Sequence, residues 1–325
     1  MRDRNLNIDV LKSISIFGVV FIHGGHLLGC EFDMTEIMRQ LFRFAVPCFI
    51  IIWTMFLEKG LLNKNKTNEF SYLKKRFVNL FRVYFIWSIL YFIILADFSN
   101  LTLIKIVTTH FSGYGWAGQY FFVILFQLLF IYPLIRYLYT HKVFRLIILG
   151  LSIFLYLLYA VYYDLPILSK LGDRPFVFWI LYAFIGIGLA RDSIKPVNVI
   201  WVLLLFLVPI EFYIKGSYAG SPYILFSLLL SSLLISIYFT KSATFEIRPT
   251  FLQKVIAVVG KNTMTIFVAN PLAILLSDKI IRHNDLNCSL IPSIVYPFLS
   301  TTIIIIICLT LAYFLRLTRL TKIIT

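Results

Sequence analysis

Pro292 to Leu315 reads PSIVYPFLSTTIIIIICLTLAYFL, 24 residues without a single charge. The hydrocarbon core of a bilayer is about 30 Å thick, and roughly 20 apolar helical residues cross it. Inside that core the backbone has to satisfy its own hydrogen bonds, so a run of this kind reads as a helix. Similar runs recur from Val199 to Ile210 and from Pro222 to Thr240. The whole chain agrees: 60% of its residues are hydrophobic and 14% charged, with a mean hydropathy of +0.89. Soluble domains carry about 45–50% apolar and about 25% charged residues. The longest polar stretch runs from Glu58 to Arg76, which leaves no room for a sizeable soluble domain. The expectation is an all-α polytopic membrane protein, a bundle of about ten transmembrane helices, with residues 1–325 forming one transmembrane domain.

The expected spans are 8–29, 41–58, 78–97, 118–139, 143–163, 175–191, 197–214, 222–240, 255–279 and 290–315. The first resembles a signal peptide, but its apolar core is long and no small-residue cleavage site follows, so it reads as a retained helix. The ninth is the least apolar, holding Lys261, Asn262 and Asn270. The net charge of +15 sits in the segments between spans. With the N-terminus placed in the cytoplasm, the inner segments hold more than twice the Lys and Arg of the outer ones. That bias puts both termini on the cytoplasmic side. No basic patch is interleaved with exposed aromatics, which argues against nucleic acid as a partner. The four cysteines form no CxxC pair. Cys30 and Cys288 fall near span ends on one predicted side, so a disulfide and free apolar thiols both stay open.

Titratable groups at membrane depth are costly and mark function by default. The first span carries Asp9, Lys12, His23 and His26. Eleven helical steps return Lys12 and His23 to within about 20° of each other, about 16 Å apart along the axis. Such a stripe suits a polar channel opening at the cytoplasmic face. A metal held by His23 and His26 would need further ligands; no HExxH motif or carboxylate cluster follows, and no metal is assigned. His26 equally suits the outer interface, and His23 a satisfied packing position. Arg76 and Arg82 enter the third span, where Lys74 and Lys75 suit a positive-inside anchor. Arg82 lies about two turns deeper, and arginine takes phosphate through its forked donors. The segment from Gly260 to Pro271 brings Lys261, Asn262, Asn270 and hydroxyls into the ninth span, where Pro271 favours a kink.

Taken together, these segments resemble the integral-membrane acyltransferase-3 family, which includes bacterial surface-polysaccharide O-acetyltransferases, over nearly the whole chain. Ile8-Asp9-Val10-Leu11-Lys12 leading to His23 is similar to the family's IDxLR…H opening. Val46-Pro47-Cys48-Phe49-Ile50 resembles its VPxFF segment. Tyr72-Leu73-Lys74-Lys75-Arg76, followed by Tyr84 and Trp87, resembles YLKKRxxR…PYxxW. Tyr120-Phe121 ahead of Tyr132-Pro133-Leu134 is similar to LWFL…YLLxP, and Tyr182-Ala183-Phe184-Ile185-Gly186 to YFxxG. Gly260 to Phe267 is similar to GxxSLxIYLxH. The chain departs from these patterns in having Lys12 for the first-helix Arg and Asn79 for the second Arg of RxxR. It also has Val83 for Pro, Tyr120 for Trp and Asn270 for the late His.

The resemblance implies transfer of an acyl group, in the simplest case acetyl, from a cytoplasmic acyl-CoA co-substrate to a hydroxyl of a cell-surface glycan or lipid-linked sugar. It places the protein in the bacterial inner membrane, among membrane lipid, with no resident cofactor. It makes His23 the catalytic residue, and Lys12, Arg76, Asn79, Arg82, Tyr120, Lys261 and Asn270 the substrate-binding set. The chemistry is coherent. A sugar hydroxyl attacks a thioester only once a base takes its proton, and a neutral imidazole, with an ordinary pKa of about 6.5, is suited to that. Asp9 lies too far along the helix to orient His23; Glu31, Asp33 and Glu36 are the nearest acidic candidates. Three other readings stay open. One is a transporter or flippase of an anionic glycan, its path lined by Lys12, Arg76, Arg82 and Lys261. Another is a non-catalytic family member. The third, a glycan polymerase, usually has a large outer loop, which this chain lacks.

Overall fold

The computed structural model describes residues 5–24, 33–63, 69–96, 98–162, 172–215, 221–243, 251–283 and 295–318. Among them every regular element is helical. In chain order the α-helices are α1 (Leu6–Gly24), α2 (Asp33–Phe42), α3 (Ala45–Leu62), α4 (Glu69–Leu95) and the short α5 (Leu103–Lys105). Then follow α6 (Gln119–Thr140), α7 (Lys142–Tyr162), α8 (Ile180–Ala190), α9 (Leu207–Ile214), α10 (Phe226–Ile237), α11 (Phe251–Lys261), α12 (Thr263–His283) and α13 (Tyr296–Leu317). Seven described segments are long and apolar enough to cross a membrane: Leu6–Gly24, Thr35–Leu62, Glu69–Leu95, Gln119–Thr140, Lys142–Tyr162, Thr263–Ile280 and Tyr296–Leu317. The other three expected spans coincide with shorter apolar helices at Ile180–Ala190, Val199–Ile214 and Phe226–Ser242. His26, Cys30, Glu31 and Cys288, named above, lie outside the described residues.

The chain divides into two units of internal contact. Met1–Leu11, Arg43–Phe77 and Ile124–Glu246 make the first; Lys12–Phe42, Val78–Val123 and Ile247–Thr325 make the second. The chain passes from one to the other within α1, α4 and α6.

In the first unit α3 and α8 pack closely along their length. Gly186 makes this possible: a Cβ there would meet Thr54 Oγ1 and the carbonyl of Ile51. Small residues bring membrane helices close where no hydrophobic effect is available to drive them together. One end of the α3–α8 pair is pinned by Glu58, whose side chain is fully buried. Its carboxylate accepts from the Tyr132 hydroxyl at 2.8 Å, from Arg136 Nε at 3.1 Å and from Arg191 Nε at 2.9 Å. Arg136 donates a further bond to Glu69 at 2.8 Å. A buried carboxylate near a helix C-terminus opposes the helix dipole; here two guanidiniums offset it. Cys48, a free buried thiol, lies in the same unit. Its sulfur accepts from Ser236 Oγ on α10 at 3.1 Å.

In the second unit Phe17, Phe21, Phe42 and Phe298 form an aromatic cluster that joins α1 and α2 to α13. Ser13 Oγ donates to the Ile256 carbonyl of α11 at 3.1 Å. Ser300 Oγ of α13 donates to the Gly24 carbonyl at 3.2 Å. The second-unit part of α1 is thereby held at both ends.

Candidate functional site

Lys12 and His23 lie on one unbroken helix, α1, and both side chains are half-buried. The continuity of α1 turns the sequence stripe into a physical one, with eleven residues rising about 16 Å between them. Both residues belong to the second unit, as do Asn79, Arg82, Tyr120, Lys261 and Asn270. Arg76 belongs to the first.

At the end of α1, Gly24 packs against α12 and α13. A Cβ on Gly24, the neighbour of His23, would touch Ile274 at 3.4 Å and would also meet Ile304. Ile274 and Asn270 are one turn apart on the same face of α12, so Asn270 lies on the face that meets the end of α1. Asn270 is 1% exposed. Its amide nitrogen donates to the carbonyls of Ile266 at 3.2 Å and Phe267 at 2.7 Å. Its Oδ1 is buried with no hydrogen-bond partner among the described residues. A buried acceptor of this kind is costly unless something supplies a donor.

Pro271 does not end α12, which runs on to His283. The α12 ladder is instead bridged by a side chain. The Tyr91 hydroxyl donates to the Val268 carbonyl at 2.8 Å and accepts from the Leu272 N–H at 3.0 Å. Those two groups are i and i+4, the pair that would bond directly in an unbroken helix. Removing the hydroxyl by Tyr91→Phe takes this bridge from the buried Val268 carbonyl and the part-buried Leu272 N–H. It is expected to cost about 1–3 kcal/mol, read as a lower melting temperature of the purified protein; an unchanged melting temperature would show that α12 closes its own ladder. Trp116 stacks on the Tyr91 ring with centroids 4.9 Å apart. It reaches that ring from the turn before α6, where Gly113 and Gly118 take positive φ of 99° and 93°. A Cβ on Gly118 would press on Phe267 at 3.0 Å. Gln119 ties this turn down: its amide nitrogen donates to Ser88 Oγ at 2.8 Å and to the His110 carbonyl, and its oxygen accepts from the Gly115 N–H at 2.7 Å.

The remaining expected residues are spread out. Tyr120 is half-buried, one residue after Gln119. Arg76 is exposed, its guanidinium 4.9 Å from the Tyr72 ring centre. Asn79 and Arg82 are also exposed. Arg82 stands about 140° round α4 from the buried Trp87, so it is not on the helix face that carries Tyr84, Trp87 and Tyr91 inward. Lys261 is exposed at the end of α11. Its neighbour Asn262 is buried and accepts from Arg316 of α13. Of the acidic candidates for orienting His23, Glu36 is engaged on its own helix by Arg39 at 3.1 Å and by Gln40.

Tyr91, Trp116 and Gln119 carry structural weight that the sequence did not signal: the first two are ordinary members of an aromatic-rich chain, and no local pattern marks Gln119. Comparison with known proteins gives one result. A family model described as an acyltransferase domain matches residues 5–315. No curated protein and no solved structure matches the chain.

Proposed function

The chain belongs to the acyltransferase-3 family and is a multi-pass membrane acyltransferase, and from that premise we propose that it moves an acetyl group from cytoplasmic acetyl-CoA to a hydroxyl of a bacterial cell-surface glycan or lipid-linked sugar in the inner membrane. The observation that carries this reading is the Lys12–His23 stripe on a continuous, half-buried α1. Lys12 lies toward the end expected to face the cytoplasm, where its ammonium meets a CoA phosphate as a point charge. The pantetheine arm then runs along α1 toward His23, over a span of about 16 Å.

At His23 the imidazole nitrogen takes the proton of the acceptor hydroxyl as the oxygen forms its bond to the thioester carbonyl carbon. The tetrahedral centre collapses, the carbon–sulfur bond breaks, and the imidazolium returns its proton to the departing CoA sulfur. No proton is gained or lost overall. Asn270 Oδ1, buried one turn from the residue that touches Gly24, is a fitting acceptor for a donor hydroxyl or amide N–H on either substrate. Family membership favours this chemistry over glycan transport with no bond made.

The test compares the mass of surface glycans from cells with and without the protein. The acetyl increment is expected only where it is present. Identical masses, with the protein inserted, would remove the glycan acceptor from the proposal.

A further inference from the structure

The turn between α6 and α7 carries more positive charge than its ion pairs use: exposed Lys142 and half-buried Arg145 have no acidic partner among the described residues. Tyr139, in the last turn of α6, is buried, and its hydroxyl lies 2.6 Å from Ser193 Oγ. Two guanidinium groups stand by its ring: Arg145 at 5.2 Å from the ring centre and Arg191 at 5.5 Å. Arg191 is neutralised by Glu58 at 2.8 Å. Arg136 is neutralised by Glu58 and Glu69. Those two cations and two carboxylates balance. Arg145 has no acidic partner among the described residues, and its Nε is shut off from solvent with no acceptor. A guanidinium can be held over an aromatic ring, but that contact leaves its N–H fork unsatisfied.

The surroundings identify what meets that fork. Arg145 sits in the first turn of α7, where no acidic residue lies and where the positive end of the helix dipole adds to its charge. Beside it the same helix presents Val143, Leu146 and Ile147, which are 67%, 60% and 52% exposed. Apolar side chains in such number on a membrane-spanning helix face acyl chains. An anion reaching Arg145 therefore comes with hydrocarbon alongside it. We infer that Arg145, held over Tyr139 at the head of α7, binds the phosphate of an anionic phospholipid headgroup through its forked donors. The site is separate from the Lys12–His23 stripe and does not depend on the acyl-transfer reading. A soluble phosphate ester, such as the nucleotide end of a CoA, shares the same headgroup chemistry but would leave the apolar face of α7 unused.

The test titrates the full-length purified protein with phosphatidylglycerol or phosphatidylcholine and reads bound lipid by native mass spectrometry. The wild type is expected to prefer phosphatidylglycerol. Arg145→Gln is expected to lower that preference about fivefold or more, while the same change at exposed Lys75 leaves it unaltered. Adenosine 3′,5′-bisphosphate is expected to leave the lipid in place. An undiminished preference in Arg145→Gln overturns the inference. Displacement of the lipid by the bisphosphate overturns its lipid source. Where Arg145→Gln yields no folded protein, Arg145→Lys answers the question: a point charge in place of the fork loses at least about twofold, and equality with wild type counts against the assignment.

Discussion

His23→Ala lowers acyl transfer by about 10²- to 10⁴-fold, the range that a positioned general base contributes. The protein still inserts and elutes as wild type does, because the end of α1 is held by other groups. Gly24 packs on Ile274 and Ile304, and its carbonyl takes the Ser300 hydroxyl. The aromatic cluster of Phe17, Phe21, Phe42 and Phe298 is likewise untouched. The loss is therefore expected in the rate at saturating acyl-CoA and not in acyl-CoA affinity, for which Lys12 is the proposed contact. A His23→Ala variant that transfers acyl groups at the wild-type rate would remove the base assignment while leaving family membership intact. Steady-state release of CoA thiol, measured on matched amounts of inserted protein, separates the two.

Glu58→Ala is the most damaging change expected for the fold. It strips the shared carboxylate from Tyr132, Arg136 and Arg191 together. Breaking one side of a buried ion pair costs about 3–5 kcal/mol, because a charge remains without compensation. The two guanidinium side chains keep 26% and 24% of their surface exposed, so the lower end, about 3 kcal/mol, applies. The melting temperature falls by roughly 5–10 °C on that figure. Glu58→Gln keeps the shape and one good acceptor and falls in between. Replacing Glu58, Arg136 and Arg191 together by leucine recovers much of the loss, since no charge is left stranded. A Glu58→Ala protein as stable as wild type would mean that the guanidiniums reach water freely in the folded state.

The two residues differ in how much the sequence disclosed. The Lys12–His23 stripe is local: the helical period alone puts both groups on one face, and α1 proved continuous through both. Ten apolar runs were likewise visible because each is its own signal. What composition could not disclose was their internal regularity. Residues 197–214 read as one span, yet Val199–Phe206 winds as a tighter helix before α9 begins at Leu207. An unbroken apolar run has no period from which to read that change. Glu58 looked like the polar border of its span. Its partners are 74, 78 and 133 residues away, and no nearby pattern points to them. Asn270 stood out as a polar residue in an apolar span, and the structure buries it. Arg82 stood out for the same reason, but depth along a helix does not fix the face, and the structure puts it on the exposed side of α4. Tyr91 was one of 19 tyrosines, and only the bridge its hydroxyl makes between the Val268 carbonyl and the Leu272 N–H distinguishes it.

The central claim is that this membrane domain makes an ester bond on the acceptor. Its most direct test uses proteoliposomes of the wild-type protein, acetyl-CoA labelled in the acetyl group, and surface polysaccharide from cells lacking the protein. The account predicts label in an alkali-labile ester on the polysaccharide, with free CoA thiol released in equal amount. Label that stays wholly in acetyl-CoA while the polysaccharide crosses the bilayer would contradict it and make the protein a transporter.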